Sequence, residues 1–257
     1  IVDQEGGCVS WIRKGFARSP ANPSIRTREA AERFARITAR ELCMCGINMN
    51  LAPVLDMLPA RGESIMKNRA FPFPGDPEAV TRLGLAMIHT FQENGIMAVA
   101  KHFPGIGRTV LDSHFHLPVL NADLADLTGS DLKPFAAAIQ EGVCGVMLSH
   151  IFYPDLDPEW QASLSPHIAL HLLRETLGFK GLSLTDDLDM KAIGLDIQTC
   201  VRQILVSGID LALICHQGPN IDLAAREMTS LLSRDPAWEQ TGLEPVRRIL
   251  AVKQKWL

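Results

Sequence analysis

Six times along this 257-residue chain an apolar run ends in polar residues and gives way to a segment with helical spacing. The apolar runs start near residues 1, 47, 96, 143, 181 and 210. Between the first two, Ala30, Phe34, Ile37 and Leu42 recur at the spacing of one helix face. Short strands alternating with helices are the pattern of parallel βα units, because a parallel pair needs a crossover long enough to hold a helix. The runs end on Asp3, Asp56, Lys101 with His102, His150, Asp186 and His216. Strand C-terminal ends share one rim in such a fold, and that rim is where barrel enzymes carry their chemistry. The expected architecture is α/β, a (β/α)8 TIM-like barrel formed as a single domain over residues 1–257. Six units fall short of eight. The chain also lacks an initiator Met and opens on residues that already read as strand. The expectation is therefore that the first one or two βα units precede Ile1. An open doubly wound sheet is the alternative; no GxGxxG turn follows a strand.

Local signals sharpen the element limits. Asp76-Pro77 reads as a helix cap followed by a first-turn proline. A helix is expected over Ser130 to Glu141, another from Ser165-Pro166 to Gly178, and another over Thr199 to Ser207. The chain then closes with helices over about Ile221 to Leu232 and Glu244 to Trp256, with Pro245 in the first turn of the last.

Composition narrows the function class. A net charge of -4 with no basic patch argues against nucleic acid as a partner. No apolar run approaches the ~20 residues of a membrane-spanning helix. The six cysteines (Cys8, Cys43, Cys45, Cys144, Cys200, Cys215) show no paired zinc-knuckle spacing. They read as reduced thiols, which favours the cytoplasm.

The stretch Lys101 to Pro118 gathers Lys101, His102, Asp112, Ser113, His114 and His116 around Pro104, Gly105 and Gly107. Burying so many polar groups without partners is costly, so the stretch lines a site rather than a core. A rim of Asp, His, Lys and Arg suits a polyol or sugar, whose hydroxyls need charged partners. Cleaving a glycosidic bond needs an anionic nucleophile or base and a nearby proton donor. Asp186 is the candidate anion. Asp112 and His114 stand two apart on a loop, where the carboxylate can fix the imidazole tautomer for proton transfer. Asp187 reads as a helix cap, and Arg69 with Asp56 as a structural ion pair. His150 and His216 stay outside the catalytic set.

Lys101 to Pro118 resembles the KHFPGHG…DSH…P signature of the β-N-acetylglucosaminidases of glycoside hydrolase family three. Four further stretches agree in order: Val2 to Gly7 resembles VDQEGG, Ala52 to Asp56 resembles APVLD, Asn68 to Phe71 resembles the NR-aromatic loop, and Thr185 to Met190 resembles SDDLxM. The resemblance implies Asp186 as the nucleophile, His114 as the general acid/base and Asp112 as its dyad partner. It implies that Asp3, Arg69, Lys101 and His102 hold the hydroxyls of a terminal sugar. It also implies a barrel, net retention of configuration, no metal, no cofactor, and terminal β-linked N-acetylglucosamine, as in peptidoglycan fragments, for a substrate. Two positions depart from the pattern: Ile106 stands where the signature has its second His, and Cys8 where an Arg follows the glycines.

Three alternatives accompany this reading. Phosphate could replace water as the acceptor, since a histidine acid/base does not repel it as a carboxylate would. The barrel could bind sugar without turnover. The His114-Phe115-His116 triplet could belong to a metal-dependent hydrolase, although there an HxH closes the first strand.

Overall fold

The computed structural model describes residues 1–257. They form two compact units. The first comprises Ile1–Val110 and Asp123–Met147 with Trp256, and the second Leu111–Ala122 and Leu148–Lys255 with Leu257.

In the first unit, strands β3 (Met49–Asn50), β4 (Met97–Phe103) and β5 (Gly145–Leu148, its last residue in the second unit) follow one another across a sheet. β3 and β4 are parallel, with Met49 opposite Met97 and Asn50 opposite Ala98. All seven residues of β4 are buried, which is why its sequence reads as a continuous apolar run closed by Lys101 and His102. Helix α1 (Arg28–Met44) is capped by Thr27, whose side chain accepts from Ala30 N. Its buried face is Ala31, Phe34, Ala35, Thr38, Ala39 and Leu42, and Ile37 of the expected stripe lies off it. Helix α2 (Pro77–Glu93) starts as read, with Asp76 as its cap and Pro77 in its first turn. The two helices meet through Phe34 and Phe91, edge to face at 6.2 Å. Phe91 is fully buried, and burying such a side chain contributes about 1.5–3 kcal/mol.

The expected strand at residue 1 is different in detail. Val2 makes one parallel bridge to Asn50. The chain then turns back as an antiparallel hairpin of β1 (Gln4–Gly6) and β2 (Val9–Ser10). Gly6 and Gly7 allow the reversal with φ of 91° and 59°, and a Cβ on Gly6 would lie 2.2 Å from Pro20 O. The Asn50 amide continues the ladder by bonding both Gln4 N and Gln4 O at 3.0 Å. The strand expected over 47–54 shortens to β3, because Pro53 has no N–H to donate. Its carbonyl still accepts from Lys101 N, and Leu55 N donates to Lys101 O. The helix expected over Ser130 to Glu141 is present as α4 (Leu132–Gln140), preceded by a short α3 (Leu124–Gly129).

In the second unit, β6 (Leu182–Asp187) and β7 (Leu211–Leu213) are parallel, with a register shift before Asp187. A wide helix over His167–Thr176 precedes them, ending with a five-residue bond from Leu177 N to Leu172 O. Helices α5 (Ile197–Val206), α6 (Pro219–Arg234) and α7 (Pro236–Trp256) follow. Pro245 lies inside α7 rather than in its first turn. The start belongs to Pro236, with Asp235 accepting from Ala237 N as the cap. Buried Asp210 holds this unit together: it accepts from Ser183 N, Arg174 and Arg248, tying α7 to the foot of β7.

The alternation of strands with helices that the sequence predicted is therefore present from residue 28 onward. No helix is long and apolar enough to cross a membrane.

Candidate active site

Two groups of expected site residues come together, one in each unit. In the first unit, Asp3 immediately precedes β1 and Glu5 lies in it, and residues two apart on extended chain share a face. Lys101, at the end of β4, reaches between them: its Nζ lies 2.7 Å from Asp3 Oδ1 and 2.6 Å from Glu5 Oε1. Arg69 donates to Glu5 through two nitrogens, Nε to Oε2 at 3.0 Å and Nη2 to Oε1 at 2.6 Å. This is the two-point geometry in which guanidinium binds carboxylate best.

His102 completes the group. Its Nδ1 is 2.7 Å from Asp56 Oδ2, and its Nε2 is 3.2 Å from Arg69 Nη2. A guanidinium only donates, so Nε2 accepts, and Nδ1–H donates to Asp56. Asp56 is fully buried and also accepts from Ile106 N at 2.8 Å and from His102 N. It fixes the loop that follows β4 at both ends. Gly107 lets that loop pass over Met57, where a Cβ would lie 1.8 Å from the carbonyl oxygen. The Ala52–Pro53, Lys101–His102 and Phe103–Pro104 peptide bonds are cis.

The expected Arg69–Asp56 ion pair is thus replaced by an ion pair of Arg69 with Glu5 and a hydrogen bond from His102 to Asp56. Glu5 is the residue that sequence reasoning missed. The available signal was its position: two residues after Asp3 on a strand, it had to face the same group.

Exposure separates the roles within this cluster. The Lys101 side chain is 1% exposed and Glu5 5%, whereas Asp3 is 30%. Glu5 spends both oxygens on Lys101 and Arg69, so it braces. Asp3 keeps Oδ2, and Arg69 keeps Nη1, for a ligand. Electrostatics agree. Burial alone would raise the Glu5 carboxyl, but Lys101 and Arg69 overcome it and hold the group down to about 2. Burial pushes Asp3 up; Lys101 opposes this, and the Glu5 charge adds to it. Burial would lower the Lys101 ammonium, yet Asp3 and Glu5 raise it.

In the second unit, Asp112 and His114 pair as expected. His114 Nδ1 lies 2.7 Å from Asp112 Oδ1, and the same oxygen accepts from His114 N at 2.9 Å. Phe115 N and His116 N both donate to Asp112 O, so the segment is a tight turn. The His114 side chain is 61% exposed, and Nδ1 is the nitrogen turned to Asp112, which leaves Nε2 for a substrate. The Asp112–Phe115 turn is tied to the segment after β6 by a bond from Ala192 N to Ser113 O at 3.2 Å, and Lys191 Nζ sits 5.7 Å over the Phe115 ring.

Asp186 is half-buried near the end of β6, with Oδ1 accepting from Asp187 N at 2.8 Å. Behind it His150 is buried, with Nδ1 2.6 Å from Ser163 Oγ and Nε2 2.9 Å from Asp187 O. Nε2 must donate to that carbonyl, so His150 braces the strand end. Asp187 does not cap the next helix; Asp196 does, accepting from Thr199 N. Asp187 instead accepts from Asp189 N and Cys215 N and faces His216 at 3.1 Å. Asp187, Asp189 and His216 offer ligand atoms within 4.8 Å of one another. All four carboxylate oxygens already accept bonds, from Asp189 N, Cys215 N, His216 and Asn220, so a cation there would have to displace them. The nearby Cys215 thiol is pushed up to about 12, by burial first and then by Asp187 and Asp186.

Residues 1–250 match the family model described as the glycosyl hydrolase family 3 N-terminal domain. The chain belongs to glycosyl hydrolase family 3. Among its relatives in that family, a β-hexosaminidase of Thiobacillus denitrificans is 37% identical over 226 residues, covering 84% of this chain and 62% of the relative. A β-hexosaminidase of Methylobacillus flagellatus is 35% identical over 233 residues, covering 86% of this chain and 65% of the relative. The chain thus spans a little under two thirds of the length of these two. A solved family 3 β-N-acetylglucosaminidase from Paenibacillus superposes with a TM-score of 0.90 at 35% identity, over 98% of this chain and 49% of that one. Family 3 membership bears out the fold class: an α/β, TIM-like barrel architecture.

Proposed function

We propose that this family 3 chain is the catalytic part of a retaining exo-β-N-acetylglucosaminidase. The observation that carries the reading is the 2.7 Å bond between Asp112 and His114, which leaves the far imidazole nitrogen accessible on a solvent-facing turn. The names of the β-hexosaminidase relatives and of the Paenibacillus structure support the substrate class.

In the first step the Asp186 carboxylate attacks the anomeric carbon. The glycosidic C–O bond breaks, and His114 gives its Nε2 proton to the departing oxygen. In the second step a water molecule loses a proton to His114 Nε2 and attacks the same carbon, releasing Asp186. Two inversions give net retention. Asp112 holds the imidazole tautomer and balances the imidazolium. The acetamido group need not act as nucleophile, because Asp186 supplies one. Asp3 and Arg69 bind the hydroxyls of the terminal sugar, and Lys101 and His102 hold them in place. No metal takes part. The natural substrate is a β-N-acetylglucosaminide such as a peptidoglycan fragment, and the reduced thiols favour a cytoplasmic setting.

The test compares release of 4-nitrophenol from the β-N-acetylglucosaminide and from the β-glucoside, with the Asp186→Asn protein alongside. Hydrolysis of the first substrate alone, lost in the variant, supports the reading. Sugar 1-phosphate formed only with added phosphate would make the enzyme a phosphorylase. Binding without turnover would make it a sugar-binding barrel.

A further inference from the structure

Asp186 sits where β6 departs from the regular ladder. The pairing of β6 with β7 shifts register between Leu184 and Asp187, and a shift of this kind re-aims the side chains beside it. The β7 amides there turn to side chains: Leu213 N donates to Thr185 Oγ1 and Cys215 N to Asp187 Oδ1, both at 3.0 Å. The Asp187 carbonyl accepts from an imidazole, His150 Nε2, at 2.9 Å. At its other end, Asp187 N donates to Asp186 Oδ1 at 2.8 Å. One residue thus carries both the amide that orients the Asp186 carboxylate and the carbonyl that His150 holds.

His150 follows β5 and is buried. A carbonyl only accepts, so its Nε2 bears the proton. Its Nδ1 lies 2.6 Å from Ser163 Oγ, whose hydroxyl can donate to it. Ser163 is fully buried and anchored by its own N–H, which donates to Ser149 O at 2.9 Å. A line of donors results: Ser163 Oγ–H to His150 Nδ1, His150 Nε2–H to Asp187 O, and Asp187 N–H to Asp186 Oδ1. An imidazole engaged at both nitrogens is held in one tautomer and one tilt. Such a line acts on the reaction through Asp186, because a nucleophile misplaced by about 1 Å can lose 10²-fold in rate.

We propose that His150 is a positioning residue for the nucleophile: with its tautomer set by Ser163, it fixes the Asp187 peptide whose N–H aims the Asp186 carboxylate. This deepens the proposed function and rests on the role given there to Asp186. The test uses a β-N-acetylglucosaminyl fluoride with a second fluorine on the ring, which slows hydrolysis of the glycosyl ester. Asp186 attacks the anomeric carbon, the C–F bond breaks and fluoride leaves with the electron pair. Fluoride needs no proton to depart, so the reaction reads Asp186 without His114. Ester formation is followed by intact mass on the full chain and on His150→Leu, His150→Gln and Ser163→Ala, and the labelled residue is located by peptide mapping. His150→Leu removes the donor and should slow ester formation at saturation by about tenfold to 10²-fold, with the half-saturating concentration within about twofold of wild type. Gln can present an amide N–H near the place of Nε2 and should recover the rate to within about threefold. Ser163→Ala keeps the ring but frees its tautomer, and should fall between the two. A bond that served the fold alone would lower the melting temperature and leave the rate of the folded protein unchanged. Folded His150→Leu reacting at the wild-type rate, or His150→Gln as slow as His150→Leu, would overturn the proposal. If His150→Leu does not fold, Ser163→Ala decides: a wild-type rate there overturns the proposal, and a slowed rate with unchanged half-saturation supports it. Wild-type labelling at Asp186 with indifferent variants sinks the positioning role alone. A wild type that takes no label at Asp186 sinks the nucleophile assignment and the positioning role with it.

Discussion

The two groups of polar residues differ in how they are held. In the first unit, Lys101 and Glu5 are sealed from solvent, and Arg69, His102 and Asp56 continue from them as a chain of ion pairs and hydrogen bonds. In the second unit, the Asp112–His114 pair stands on an exposed turn with a single carboxylate–imidazole bond. The first arrangement is part of the fold, since taking away one charge strands its partners in a low-dielectric interior. The second can be altered with little structural consequence, because solvent takes over whatever the partner loses.

The sharpest way to use this contrast is to separate loss of rate from loss of fold. Asp186→Asn should lower kcat by more than about 10³-fold, since the neutral amide cannot form the glycosyl ester. His114→Ala should lower it by about 10² to 10⁴-fold. Both variants should melt within about 2 °C of the wild type, as substitutions outside the buried network change stability by about 0.5 kcal/mol or less. A large drop in melting temperature with either variant would show that the second group is as structural as the first.

The opposite outcome is expected in the first unit. Glu5→Gln leaves Lys101 and Arg69 without their shared counter-charge, which costs about 3–5 kcal/mol. For a chain of this size the melting temperature should fall by about 6–20 °C. The same bond sets an acid limit. Glu5 is held at about 2 against an ordinary 4.5, so its contribution is fully present above 4.5 and is lost as the pH falls toward 2. That gap corresponds to about 3 kcal/mol. Wild-type stability measured by urea titration should therefore decline between these pH values, and Glu5→Gln should flatten the decline. An unchanged acid limb in the variant would mean that Glu5 is not the group responsible.

The same contrast explains what could be read from the sequence. The alternation of elements was legible because strand and helix periods are local, and Asp76-Pro77 marked its helix start to the residue. The hairpin at Gln4–Ser10 was not, because it depends on the Asn50 amide replacing a strand partner 46 positions away. Pro245 misled in a related way: a proline suits a first turn, but the stronger start signal at Asp235-Pro236 lies nine residues earlier, and the helix runs through. In the site, Asp112 and His114 were legible as a pair because they stand two positions apart. The choice of Glu5 for Arg69 and Asp56 for His102 was not, since these contacts span 64 and 46 positions and their geometry decides them.

The smallest expected effect is also the most diagnostic for the dyad. Asp112 makes two kinds of contribution through Oδ1, a bond from His114 N at 2.9 Å that shapes the turn and one with Nδ1 at 2.7 Å that orients the ring. Asn at position 112 keeps an oxygen that can accept both, so turn and tautomer survive and only the negative charge is lost. Ala loses all three. Asp112→Asn should therefore lower kcat about tenfold, and Asp112→Ala about 10²-fold, with melting temperatures close to wild type in both. The ratio between the two variants isolates orientation from charge. If both lost the same factor, charge alone would matter and the orienting bond would be incidental. If neither lost any, His114 would not work through Asp112, and the accessible turn would have to be reread as an ordinary surface loop.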